Sequence, residues 1–187
     1  GRGAEMGVLF KSAEALEALR DVDTVVLDKT GTITQGKPVV TDILPARRAD
    51  GEAAISERGL LKLAAALERN SEHPLAEAIM AHAEQRGIVA RTVEAFQAIP
   101  GRGVTAREGA NHIAAGNAAL MADLGIDVDR AQLEAFARDG KTPLFFAKNG
   151  ALMGTIAVAD ELKPTGREAV AALDALGVRT VMLTGDN

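Results

Sequence analysis

Thr24-Val25-Val26-Leu27-Asp28-Lys29-Thr30-Gly31-Thr32-Ile33-Thr34 is the stretch on which the fold turns. Its first four residues form a continuous β-branched and apolar run, with Asp23 before it and Asp28 after it. Such a run, closed by polar residues and a glycine, predicts a buried strand of a parallel sheet. In open α/β sheets, ligands gather beyond the carboxyl ends of the strands, and Asp28 stands there. A carboxylate in that place can attack a phosphoryl group and form an aspartyl phosphate. Gly31 lets the backbone approach phosphate closely. Thr30 and Thr32 offer hydroxyl and N–H donors, and Lys29 a positive charge. An isolated Asp after a strand most often caps a turn, so the case for Asp28 rests on these neighbours.

Working outward, Ser12 is placed as the N-cap of a helix carrying Ala15, Leu16 and Leu19. Beyond the quoted stretch, Val39 to Leu44 reads as a short strand. Leu60, Leu61, Ala64 and Leu67 share one helical face. A second helix opens at Pro74 and stops at Gly87. Thr92 to Ala115 alternates and reads as two or three antiparallel strands, and Leu133, Phe136 and Ala137 mark a helix ending at Gly140. Asn149-Gly150 between two apolar runs predicts a hairpin. Near Asp160 the character changes. Pro164 opens a helix ended by Gly177, and Val178 to Leu183 reads as another buried strand, followed by Thr184-Gly185-Asp186-Asn187. The order implies an α/β sheet interrupted by a large α+β insertion.

Composition narrows the function classes. Hydrophobic residues make up 47% and charged residues 25%, which fits a globular chain and excludes disorder. Lys plus Arg is 21 against 26 Asp plus Glu, a net charge of −5, so nucleic acid is not an expected partner. The absence of Cys removes thiol nucleophiles and zinc–thiolate sites. No uninterrupted run of Ala, Val, Ile, Leu, Met and Phe exceeds five residues, against the ~20 needed to cross a bilayer. With no Trp or Tyr and five Phe, base stacking on aromatic rings is nearly excluded.

Asp28-Lys29-Thr30-Gly31-Thr32-Ile33-Thr34 resembles the DKTGT[LI]T phosphorylation motif of the P-type ATPases at all seven positions. Met182-Leu183-Thr184-Gly185-Asp186-Asn187 is similar to their TGD segment. Asp160-Glu161-Leu162-Lys163-Pro164 resembles a third motif, usually DxxRP, in which Lys163 replaces Arg and a point charge replaces a planar fork. Within the insertion, Ser71-Glu72-His73-Pro74-Leu75-Ala76 is similar to the SEHPLA signature of the heavy-metal-transporting class. Gly101-Arg102-Gly103-Val104 resembles its GxG element, and Gly116-Asn117 its GN pair. Glu68 stands five residues before His73, the spacing of the class.

The resemblance implies a partial haloacid-dehalogenase-like, Rossmann-like phosphorylation domain at residues 21–36 and 159–187, interrupted by an antiparallel-sheet nucleotide-binding domain at 37–158. Residues 1–20 would be a linker and helix following a membrane segment. It further implies ATP and Mg²⁺ as cofactors. Glu68, His73, Gly101, Gly103, Gly116 and Asn117 would surround the nucleotide. Asp28 would be the nucleophile. Lys29, Thr30, Thr32, Thr184, Gly185 and Asp186 would assist it, and Asp28 and Thr30 would contact the metal. A neutral His73 ring can stack on or hydrogen-bond to adenine, Glu68 can accept from its exocyclic amine, and Gly101 and Gly103 would clear space for base and phosphates.

Several segments of the class are not in these residues: the membrane helices with their Cys-Pro-Cys site, the actuator domain and the GDGxND segment. The expectation is therefore a fragment of an ATP-driven heavy-metal transporter at the cytoplasmic face of the membrane, with the actuator domain and membrane helices as partners. By itself it would bind ATP with little or no turnover. Copper(I) is the first reading of the metal, zinc or cadmium the second. A soluble haloacid-dehalogenase-type phosphatase is the rival; it calls for an acid at position 30, where Thr30 stands.

Overall fold

In this computed structural model, residues 2–5 and 7–183 are described. Helices α1 (Arg2–Glu5) and α2 (Ala13–Ala18) lead through a tight turn into strand β1 (Thr24–Asp28). Ser12 does cap α2: its hydroxyl accepts from Ala15 N–H at 3.2 Å. Strand β2 (Thr34–Pro45) is followed by α3 (Glu57–Glu68), α4 (Pro74–Gln85), β3 (Glu94–Ile99), β4 (Gly103–Glu108) and β5 (Asn111–Gly116). Then come α5 (Ala118–Asp123), α6 (Arg130–Arg138), β6 (Thr142–Lys148), β7 (Ala151–Leu162), α7 (Pro164–Ala175) and β8 (Arg179–Leu183). Helix α5 has no counterpart in the sequence reading, because its six residues offer too little periodicity.

The chain divides into two units, Gly1–Gly36 with Leu162–Asn187, and Lys37–Glu161. The second crossing falls after the change in composition at Asp160, because β7 continues to Leu162. An Asp160 carboxylate oxygen there accepts the Lys37 N–H at 3.0 Å.

The first unit holds β1 and β8 as a parallel pair, with Val26 opposite Val181. Both strands form where the apolar runs predict them, but neither is buried. Val26 is 59% exposed and Leu183 62%. Among the described residues the sheet has two strands, with α7 against β8 and against the loop after β1. Two strands are too few to enclose a face.

The second unit is built on a sheet in the order β2-β7-β6-β5-β4-β3, antiparallel from β3 to β7. The predicted turn joins β6 to β7, with Asn149 and Gly150 both at positive φ (50° and 78°), as a type I′ hairpin requires. Alternation along β6 sends Phe146 to one face and Phe145 to the other. Phe146 joins Leu60, Leu61, Leu67 and Ile79 of α3 and α4 in the larger core. Phe145 joins Leu120 and Met121 of α5 in the smaller one. Full burial of such a side chain contributes about 1.5–3 kcal/mol. Helices thus cover both faces, and the ends of β3 to β6 remain to frame a cleft.

Candidate functional site

The cleft of the second unit has a volume of about 790 Å³. Its walls come from the end of α3, the start of α4, the β3–β4 and β5–α5 turns, and the first residues of β6. Glu68, His73, Gly101, Gly103, Gly116 and Asn117, which lie far apart in sequence, all line it.

Each has a local reason for its position. Glu68 ends α3, a helix set by the Ser56 cap, whose hydroxyl accepts from Gly59 N–H at 3.1 Å. Its side chain is 4% exposed. Burial pushes its carboxyl up to about 7, against a smaller downward pull from a hydrogen bond with Ser71. His73 is the N-cap of α4: Nδ1 accepts the Leu75 N–H at 3.2 Å, and Pro74 fills the first helical position.

Two of the glycines have a packing role that the sequence reading does not assign. Gly103 and Gly116 face each other across β4 and β5. A Cβ on Gly103 would sit 2.1 Å from the Ala115 carbonyl oxygen, and one on Gly116 2.3 Å from that of Arg102. The space these two clear is taken by backbone, which brings the two turns together. Gly101 has open space around it and is required by its φ of +69°. Asn117 fastens the same lip. Its side-chain amide donates to Gly101 O at 2.9 Å, its Oδ1 accepts from Leu120 N–H at 3.1 Å, and its own N–H donates to Arg102 O at 2.9 Å.

Sequence reasoning missed part of the wall. Phe96, Pro100, Pro143 and Leu144 supply apolar surface, so one of the few aromatic rings is available to a ligand after all. Phe96 sits in an alternating strand, and nothing in its spacing distinguishes it from a core residue.

In the first unit, Asp28 ends β1 with an exposed carboxylate. Lys29, Thr30 and Thr32 follow in a wide turn through Gly31, whose φ is +75°. Thr34, buried to 2% exposure, holds that turn shut: its hydroxyl donates to Lys29 O at 3.0 Å and accepts from Gly31 N–H at 3.2 Å. Lys163 grips it from the other side. Its N–H donates to Ile33 O at 2.8 Å and its ammonium to Gly31 O. The point charge in the usual Arg position thus reaches a backbone carbonyl. Thr184, Gly185 and Asp186 lie outside the described residues. Among the described residues no group of three or more His, Cys, Asp or Glu could hold a metal ion, and no helix is long and apolar enough to cross a membrane.

A family model described as a haloacid dehalogenase-like hydrolase matches residues 22–187. The chain belongs to the haloacid dehalogenase-like hydrolases. Among curated relatives in this family, a copper-transporting P-type ATPase of Rhizobium leguminosarum bv. viciae is 49% identical over 189 residues. The match takes in 100% of the chain and 22% of that relative, so the chain spans about a fifth of the relative's length. A zinc-transporting PIB-type ATPase solved in the E2.Pi state is 36% identical, with a TM-score of 0.75 over 99% of the chain and 29% of that structure. The N-domain of another copper-transporting P-type ATPase shares the fold at 24% identity. Its TM-score is 0.53, over 65% of this chain and 98% of that one. The fold class is accordingly a haloacid dehalogenase-like α/β unit that carries an antiparallel-sheet insertion of N-domain type.

Proposed function

We propose that this chain is the ATP-binding and phosphorylation region of an ATP-driven copper(I) transporter, with the Lys37–Glu161 unit as its nucleotide-binding domain. The observation that carries the reading is the convergence of Glu68, His73, Gly101, Gly103, Gly116 and Asn117 on one cleft. The curated relatives are copper transporters, which favours copper over zinc. Membrane helices and an actuator domain of the same transporter would be the partners, and the cytoplasmic face of the membrane the location.

In this reading adenine enters the cleft against Glu68, His73 and Phe96, and the phosphates lie near the Gly101–Gly103 turn. Asp28 Oδ attacks the γ-phosphorus, the bond to the β-phosphate oxygen breaks, and ADP leaves. Lys29 and the donors of Thr30 and Thr32 offset developing charge, and Thr184, Gly185 and Asp186 are assigned a supporting role by the resemblance alone. Thr30 cannot act as a general acid, which suits an aspartyl phosphate that persists. Mg²⁺ is ordinarily held by one or two carboxylates together with substrate phosphates and water. Asp28 and Thr30 fit such a shared shell, in which the ion would neutralise phosphate charge.

Titration calorimetry with ATP tests the cleft. Asp28→Asn should leave the affinity unchanged, while His73→Asn should weaken it about tenfold for the loss of a ring contact. Asn keeps a cap acceptor for α4, so a loss would report the ring itself. Equal affinity in the wild type and His73→Asn would remove His73 from the site.

A further inference from the structure

Charge in the cleft is unevenly supplied. The ionisable side chains that line it are Glu68, Glu72, His73 and Arg102. Two are acids and one an imidazole, which leaves Arg102 as the single permanently cationic residue on the wall among the described residues. If the cleft takes a nucleotide, as proposed above, a polyanion must settle into a wall with one fixed positive charge.

The main chain of Arg102 is pinned. Its N–H donates to Ile99 O at 3.0 Å and its carbonyl accepts from Asn117 N–H at 2.9 Å. Its side chain is less constrained. The guanidinium is paired with Asp123, at the last position of α5. Arg102 is 43% exposed in this pair and Asp123 55%, and ion pairs so open to water stabilise little. The lip has no need of the pair, because Asn117 already fastens it to α5. Asp123 is also a carboxylate at the negative end of a helix, where it is unfavourable unless a cation offsets it. The pair is thus open to exchange with another anion. A guanidinium matches phosphate oxygens with two parallel donors.

We propose that Arg102 is the phosphate-binding residue of the cleft, and that Asp123 is the anion that holds its guanidinium until nucleotide phosphates displace it.

Titration calorimetry with ATP and with adenosine, on the wild type, Arg102→Gln, Arg102→Lys and Asp123→Asn, separates the possibilities. Arg102→Gln should weaken ATP about tenfold or more, the scale of a lost charge-assisted hydrogen bond, and leave adenosine within about twofold. Arg102→Lys should recover part of the loss. Asp123→Asn should tighten ATP about two- to fivefold, the scale of an exposed ion pair no longer in competition, with adenosine unchanged. An equal loss for ATP and adenosine in Arg102→Gln would make the residue a structural part of the lip and overturn the proposal. So would unchanged ATP affinity in that variant. A wild type that binds neither ligand would overturn the nucleotide reading of the cleft as well.

Discussion

The turn after β1 and the lip of the cleft both depend on glycine, yet they keep their shape by different means. Around Gly31 there is open space, and the turn is closed by hydrogen bonds from Thr34 and Lys163. At the lip, Gly103 and Gly116 are pressed backbone to backbone. The surroundings differ in the same sense. Of the buried hydrophobic side chains among the described residues, Ile33 belongs to the first unit and the others to Lys37–Glu161. A surface held by backbone packing offers a charged ligand no contact to exchange, whereas a turn held by polar contacts can be remade when a charged ligand offers better ones. In the proposed reading, the first suits a pocket that would fit a rigid base, and the second a turn that would accept a phosphoryl group.

The contrast breaks most visibly at its glycines. Gly103→Ala should cost about 3 kcal/mol or more, because its Cβ meets backbone that cannot give way. Gly31→Ala should cost about 1–2 kcal/mol, the penalty of a left-handed residue in open space. Urea denaturation of both variants measures this, and equal losses would erase the distinction.

The next effect sharpens the picture of the cleft. Glu68 keeps its proton in the folded state up to about pH 7, whereas its ordinary value is 4.5. Between those values the folded chain binds more protons than the unfolded one, so the contribution of Glu68 falls as pH rises through the window. The full loss is about 3 kcal/mol. Glu68→Gln should flatten this part of the pH–stability curve and exceed the wild type in stability above pH 7. A parallel curve for the variant would show that the carboxyl is not desolvated.

The smallest effects test the polar turn. Thr34→Val should cost about 1–2 kcal/mol through two lost buried hydrogen bonds. Lys163→Met, at a more exposed contact, should cost under about 1 kcal/mol. Faster amide exchange at Gly31 in both variants is the accompanying signature, and unchanged exchange would mean the turn is held otherwise.

Much of this was legible in the sequence because the signals were local. Asn149-Gly150 marked a hairpin through its backbone preference, Pro74 and Ser12 marked helix starts, and the runs at Thr24–Leu27 and Val178–Leu183 marked two strands. The candidate site residues were named for another reason: DKTGT and SEHPLA are fixed strings whose resemblance carries position without any knowledge of contacts. Burial was not legible. An apolar run reports what a strand could cover, and only the number of neighbouring strands decides whether Val26 and Leu183 are covered. The reason for Gly103 and Gly116 was equally hidden, since the partner of each is the other, across a strand pairing that spacing does not reveal. Phe96 and Arg102 were missed because single residues in alternating or turn segments carry no pattern.

The start of α4 has one more consequence, for protons. Because His73 Nδ1 accepts the Leu75 N–H, the neutral ring must carry its hydrogen on Nε2. The helix thereby selects the tautomer, and the only polar atom the ring has left for a ligand is a donor. In the proposed reading the imidazole would therefore serve the cleft as an N–H group, suited to a ring nitrogen or carbonyl that has a lone pair to give.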